Sequence, residues 1–384
     1  MNGDTMQFLQ NRTWDYYRRT AIPQPPEADA REWAVVPWQQ GSRSRMYRHK
    51  SLIQEGGLDA LFKSEKPRHV YYSGATYEHP HVRDMEAKEH RYTDLLFDID
   101  FDHLPEYEGG TDASMEEVLQ ATKAELRSLI TILEDDFDFS DFLIKFSGNR
   151  GYHLHVYDDE ARSLSSAARD EIIQYVVADS GATAALRPDE TVTAPQALLP
   201  YTGGRPNRVY TQAKNIVQSL IDETASLDTV NNTLNTDFTK DEVPDTETLL
   251  TNGFQKLHTA TFRSEANTPE HQLVHAAIET AETNAAAYVD EAVTNDMGRL
   301  IRAQGTIHGG RGLVVREIDR DNLRDFNPLA DAVPELFTER SIDVEVTTPD
   351  SFTLNGKDFD VAQEGCSLPE YAAISLMCQG KAEL

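Results

Sequence analysis

Cysteine is all but missing from this 384-residue chain: there are two, Cys366 and Cys378, both close to the C-terminus. Their spacing suits no metal-ligand pattern, so reduced thiols are expected and a disulfide framework is excluded. Long apolar runs are missing as well. No stretch approaches the ~18 residues of a membrane span, and the N-terminal Asn11-Arg-Thr-Trp-Asp-Tyr-Tyr-Arg-Arg19 carries no hydrophobic leader core. A cytoplasmic protein without membrane contact is the expectation. Positive charge is the third scarcity: 36 basic residues face 65 acidic ones, for a formal charge of −29. A chain of that sign is expected to repel phosphate backbones.

High salt removes that objection, because the Debye length shrinks to about 3 Å at 1 M and a distributed acidic surface stops acting at a distance. Abundant Asp and Glu with little Lys resembles the composition of proteins from salt-adapted archaea. Net charge therefore says little about nucleic acid, and local basic clusters say more. With 39% hydrophobic residues and a mean hydropathy of −0.55, the chain is that of a water-soluble globular protein. Its length allows one large core and a smaller subdomain, since single cores stop growing near about 250–300 residues.

Apolar periodicity sketches an α+β fold. Strands are expected at Arg68–Ser73, at Asp94–Asp100, in a hairpin from Phe142 to Tyr157 around the turn Gly148-Asn-Arg-Gly151, at Ala286–Asp290, Gly312–Arg316 and Ile342–Thr347. Helices are expected from Ser114 to Leu133, with Asp112 or Ser114 as cap, from Ala161 to Ala178, and briefly around Asp296–Arg302. The acidic run Glu134–Asp141 reads as a solvated loop. Residues 1–180 and 266–384 are expected to form the two halves of a mixed-sheet core flanked by helices. A small, mostly helical subdomain is expected to be inserted over 181–265.

The chemistry begins with Asp98 and Asp100. A strand's period of two puts both carboxylates on one face, while Leu95, Phe97 and Ile99 turn to the core. With Asp290, nearly two hundred residues on, they form a set able to hold two hard cations about 3.5–4 Å apart, the arrangement that stabilises attacking and leaving oxygens in phosphoryl displacement. In so acidic a chain an Asp-x-Asp also fits a solvated strand edge, and other residues must decide. Ser147, Arg150 and His153 lie in and just after the hairpin turn, and His308 follows Asp290 by eighteen residues. A hydroxyl, a planar guanidinium fork, two imidazoles and a glycine turn whose backbone can approach oxygens closely are what a triphosphate needs. His155 shares a face with His153 and is assigned no contact; His79, His81 and His90 read as surface residues.

Taken in order, Asp98-Ile-Asp100, Ser147-Gly-Asn-Arg-Gly-Tyr-His153, Asp290, Arg299-Leu-Ile-Arg302 and Gly305-Thr-Ile-His308 resemble the small, catalytic subunit of archaeo-eukaryotic DNA primase from about Arg31 to Arg316. The resemblance implies a DNA-templated nucleotidyltransferase that makes short RNA primers, with DNA primers left open, using Mg2+ or Mn2+ on Asp98, Asp100 and Asp290. It also implies nucleotide contacts from Ser147, Arg150, His153 and His308, and from Arg31 of Arg31-Glu-Trp33. The implied partners are a large primase subunit, in a heterodimer, a single-stranded DNA template and nucleoside triphosphates. Two departures matter. Relatives carry a Cys/His zinc knuckle after the Asp-x-Asp strand, whereas residues 101–141 contain no cysteine and only His103, so no structural zinc is expected. Where relatives read Gly-Lys after the final His, this chain reads His308-Gly-Gly-Arg311, and Arg311 is expected to replace the Lys. A two-metal nuclease and a nucleic-acid-binding subunit with a decayed site are the alternatives. The triphosphate donors count against the first and the complete aspartate set against the second.

Overall fold

Runs of β-branched and aromatic residues become strands wherever another run lies ready to pair with them, and the pairing partners are the part no local pattern reveals. The computed structural model of the chain describes residues 1–39, 45–104, 107, 113–177, 204–222, 224–240, 243 and 268–384. They fall into two units, Met1–Leu126 with Asp141–Arg169 and Val289–Leu384, and Arg127–Ser140 with Asp170–Tyr288.

The first unit carries strands β1 (Arg31–Pro37), β2 (Tyr47–Lys50), β3 (Pro67–Tyr77), β4 (His90–Thr93), β5 (Leu95–Ile99), β6 (Phe142–Phe146), β7 (Tyr152–Val156), β8 (Leu300–Arg302), β9 (Ile307–His308), β10 (Leu313–Val314) and β11 (Glu317–Ile318). One sheet has the order β2-β1-β3-β4, with β8 also on β3. A second has the order β11-β6-β7-β5. Its pairs are antiparallel. Helices α1 (Gly3–Tyr17) and α2 (Leu58–Glu65) also belong here. After β11 the chain adds β12 (Ser341–Val346), the hairpin β13 (Asp350–Leu354) and β14 (Lys357–Val361), then β15 (Gly365–Pro369) and β16 (Ala382–Glu383). β12 lies between β15 and β16, and the buried helix 370–379 precedes β16.

The α+β architecture is as expected, and so are the hairpin of β6 and β7 and the strand at Arg68–Ser73. Helix 115–137 starts at the capping box Ser114-x-x-Glu117, in which the Glu117 amide donates to Ser114 Oγ (3.3 Å) and Ser114 N–H to the Glu117 carboxylate (2.8 Å); Asp112, the other candidate cap, lies outside the described residues. Other expectations fail. The helix continues through Glu134–Phe137, and Asp136 is not a solvated loop residue: its carboxylate takes both Arg208 Nη1 (2.6 Å) and Nη2 (2.5 Å). The helix expected over Ala161–Ala178 is two, 159–162 and 166–176, and residue 178 is undescribed. Ala286–Asp290 is extended chain without a ladder, and 296–302 ends in strand β8 rather than helix. A strand alternation needs a ladder to become a strand; β8 finds one with Tyr71–Ser73, whereas 286–290 reaches β5 through the Asp290 amide and forms none.

The second unit has its own apolar core. Helices 204–221, 227–234 and 269–284 bury Val209, Val217, Val230, Leu273, Val274 and Ile278 among one another. Most of the expected insertion, 181–203 and 244–265 included, lies outside the described residues.

Candidate active site

The site grows from the C-terminal end of β5. Cross-strand pairing sets Asp98 opposite His153 of β7, and His153 opposite Lys145 of β6, so these three side chains share one face of the sheet. Asp100 stands two residues on from Asp98, and its Oδ1 accepts from the Phe101 amide (2.8 Å) to start a short turn. Asp290 reaches this end through the main chain: its N–H donates to the carbonyl of Asp98 (2.8 Å). Its own Oδ1 accepts from the Ala292 amide (3.0 Å), capping the short helix Glu291–Asn295. Three aspartates from two distant segments thus converge.

Their electrostatics differ from those of a solvated edge. The Asp98 side chain is 26% exposed, with His153 Nε2 3.7 Å from its Oδ1. Burial, then Asp100, then Asp290 push its pKa up to about 7. Burial also raises Asp100, against the pull of Arg150. Asp290 has Arg299 at 3.7 Å and His103 at 3.8 Å. Among the described residues no three His, Cys, Asp or Glu side chains close into a finished metal cage, these aspartates included. The donor set still fits hard divalent cations: carboxylate oxygens, acceptor-only when ionised, crowded enough that a proton or a cation relieves them.

Facing the aspartates is the turn between β6 and β7. The Ser147 amide donates to the Gly151 carbonyl (2.9 Å), and Ser147 Oγ accepts from Gly151 N (3.3 Å) and Asn149 N (3.4 Å). With its acceptor capacity used, the hydroxyl proton is left to donate. Gly148 has φ +81°, and a Cβ there would stand 2.7 Å from His308 Cβ; one at Gly151 would stand 2.1 Å from the Ile99 carbonyl oxygen. Only glycine fits both places, and the turn is thereby wedged between the Asp100 end of β5 and His308 of β9.

His308 is buried with its ring edge against His69 (5.0 Å). Its Nδ1 accepts from the Gly310 amide (3.2 Å), which leaves the proton on Nε2 as a donor. Burial, then Arg302, holds its pKa well below the ordinary imidazole value. His153 is held down likewise by burial and Lys145, so both rings are neutral; its Nδ1 is buried without a hydrogen-bond partner. Arg150 lies over the Phe101 ring (3.9 Å) and donates from Nη2 to Asp102 (2.8 Å). Arg311 donates from Nε to Asn149 Oδ1 (3.0 Å) and from Nη1 to Gln379 Oε1 (2.8 Å), pinning the turn to helix 370–379.

Arg31 is the exception among the expected contacts. It is fully buried in β1, paired with Asp94 (2.8 Å) and donating to the carbonyls of Pro26, Ser73 and Gly74. Its guanidinium ties strands together instead of facing the turn. Two residues without an assigned role stand nearer. Arg302 of β8 meets His69 Nδ1 (2.9 Å), and its charge acts on Asp98, His153 and His308. Lys145 donates to Tyr72 Oη and the Arg302 carbonyl (3.1 Å each), and burial, then Arg31, pushes its pKa down to about 7. The sequence signal for Arg302 was its place six residues before His308; for Lys145 there was none beyond strand alternation.

An acidic wall opposite neutral and cationic donors is the constitution of a metal-dependent enzyme acting on phosphates. The sequence model of a family described as DNA primase small subunit matches residues 97–320. The chain is 38% identical to the DNA primase small subunit PriS of Halorubrum lacusprofundi, over 100% of this chain and 98% of that one. It is 38% identical to that of Halobacterium salinarum, over 100% and 99%, and 31% identical to that of Methanothrix thermoacetophila, over 100% of both. The chain belongs to the DNA primase small-subunit family. It is accordingly the catalytic subunit of a DNA primase, a DNA-directed nucleotidyltransferase that serves replication, uses nucleoside triphosphates and depends on divalent metal. The relatives from Halorubrum and Halobacterium are halophilic archaeal proteins, and the −29 charge of this chain is in keeping with that likeness. No helix among the described residues is long and apolar enough to cross a membrane.

Proposed function

We propose that Asp98, Asp100 and Asp290 hold two divalent cations, Mg2+ or Mn2+, and that Ser147, Arg150, His153, His308 and Arg302 hold the incoming triphosphate. When bound, such cations make the primer 3′-hydroxyl more nucleophilic and neutralise the departing pyrophosphate. The chain's own residues do the rest. His308 donates from Nε2, already oriented by the Gly310 amide, and Ser147 donates its free hydroxyl proton. Both rings being neutral, they bind phosphate oxygens as dipoles, and Arg302 and Arg150 bring the charge. Arg150 exchanges Asp102 for phosphate, one anion for another, and needs only a side-chain turn at a partly exposed position.

The observation that carries this reading is the 2.8 Å main-chain bond from Asp290 to Asp98, which brings the third carboxylate to the Asp-x-Asp end, with the Ser147–Gly151 turn wedged between that end and His308. Arg31 is left out, because its burial with Asp94 gives it no path to a nucleotide. Arg311 is a weaker member, its fork already engaged. The reading needs no structural zinc: both cysteines stand outside the site, in β15 and helix 370–379. We assign the product as short RNA. The relatives' designation as a small subunit supports a heterodimer with a large one. Incorporation of labelled NTP on a single-stranded template, with Mg2+ or Mn2+, tests the assignment. Asp98→Ala with Asp100→Ala should lose incorporation while keeping its fold. Residual kcat within about tenfold of wild type would rule out metal ligation there, and template cleavage by wild type would point to a nuclease.

A further inference from the structure

Away from the aspartates, the C-terminal end of α1 and helix α2 enclose an open cavity of about 400 Å3 lined by Trp14, Tyr17, Arg18, Arg19, Phe62 and Lys63. Tyr17 and Phe62 are buried and stack on each other with ring centroids 4.5 Å apart, and Trp14, half-buried, is the lining aromatic ring that is partly exposed. The cavity rim is cationic, in a chain with 65 acids to 36 bases. Arg18 is committed to Asp15 (2.6 Å), and Asp59 stands on the same rim. Arg19 and Lys63 are exposed and make no ion pair among the described residues. A protein with an acidic excess thus holds, among the described residues, two exposed cations without an ion pair in the same cavity lining as the partly exposed indole of Trp14. A flat π-face takes a base by stacking, and guanidinium and ammonium groups take its phosphate in a contact that weakens as salt rises.

The cavity is also tied to the active site. Tyr17 Oη accepts from the amide of Ile307 (3.2 Å), the residue before His308, and Tyr16 Oη donates to the carbonyl of Gly305 (2.9 Å). The wall of the cavity and the segment that positions His308 are therefore one packed body.

We propose that this cavity is a second nucleotide-binding site, holding the base against Trp14 and the phosphate with Arg19 and Lys63, for a nucleotide unit of a bound single strand or for a free NTP. It goes beyond the triphosphate site and does not depend on the carboxylate assignment. Trp14 reports on it, because the other two tryptophans, Trp33 and Trp38, are buried. Tryptophan fluorescence of the full chain, titrated separately with a short oligodeoxythymidylate and with ATP over a range of KCl concentrations, is the test. Quenching is expected with at least one probe, and the probe that saturates at lower concentration identifies the source. Arg19→Glu with Lys63→Glu should weaken that binding at least about tenfold. It should also flatten the salt dependence for the oligonucleotide by about 0.7, the slope carried by one neutralised phosphate of a single strand. Arg19→Gln with Lys63→Gln gives the same direction should the reversed pair not fold. Asp98→Ala with Asp100→Ala should keep the quenching intact. Absence of quenching by either probe, unchanged affinity and slope in the neutralised pair, or quenching lost with the two aspartates would each overturn the proposal.

Discussion

Asp94 and Asp98 lie four residues apart at the two ends of β5, and they are opposites. Asp94 is fully buried, yet it is surrounded by Arg31 at 2.8 Å, Arg162 at 3.2 Å and His155 at 3.8 Å. Burial alone would raise its pKa; His155 and Arg31 overcome that and hold it below the ordinary carboxylate range. Asp98 is less buried, but its neighbours are two more carboxylates, and its pKa goes up to about 7. At one end the chain supplies the counter-charge itself, and at the other, on the metal assignment proposed above, a cation supplies it. A buried carboxylate marks structure when it is paired and chemistry when it is not.

The contrast is broken most severely by removing one carboxylate from each end. Asp94→Asn should cost about 3–5 kcal/mol of stability, because it strands buried guanidinium groups. Asp98→Asn should stabilise the metal-free protein at pH 8, by on the order of 2 kcal/mol, while reducing primer synthesis at least about a hundredfold. The sign follows from the raised pKa: the folded state holds its proton up to about pH 7 and the unfolded chain loses it near 3.8, so stability falls as pH rises between those values and stays down above them. Thermal melts beside incorporation assays read both effects; a destabilised Asp98→Asn at pH 8 would erase the distinction. Next in size, Arg31→Lys keeps the charge but loses the fork that meets three carbonyls and Asp94, at a cost of about 2 kcal/mol in stability. The nucleotide KM of the folded protein should be unchanged, and a KM raised tenfold would return Arg31 to the nucleotide.

A titration sharpens the comparison further. A cation must displace the proton of Asp98, so apparent metal affinity should rise about tenfold from pH 6 to pH 8 and level off beyond it. Metal-dependence curves of incorporation at each pH would show it, and a profile already flat from pH 5 would mean that Asp98 ionises like an ordinary carboxylate. The smallest effect is expected of Arg311→Ala, a rise of about threefold in nucleotide KM, since its fork is already occupied by Asn149 and Gln379. An unchanged KM would remove Arg311 from the triphosphate.

Local chemistry made part of this legible from residues alone. Alternation around Gly148–Gly151 specified the hairpin, Ser114 was one of two candidate caps for the helix that follows it, and strand parity put Asp98 and Asp100 together on one face. What stayed hidden is non-local. Arg31-Glu-Trp33 reads the same whether its strand faces a cleft or a core, and only the arrival of Asp94 decides. Lys145 and Arg302 take their places through cross-strand partners, Glu317 and Tyr71, more than a hundred residues away, and Ala286–Asp290 has the apolar rhythm of a strand but meets β5 through the Asp290 amide without forming a ladder. Residue type names a chemistry; the neighbours that give it a pKa come from topology.

The bond from Asp290 to Asp98 runs through a peptide nitrogen and a carbonyl, groups that every residue but proline carries in full. Apart from proline at 290, no substitution can delete it. A change of side chain at either position therefore leaves the two segments joined, and what a substitution there removes is a carboxylate and not the meeting itself.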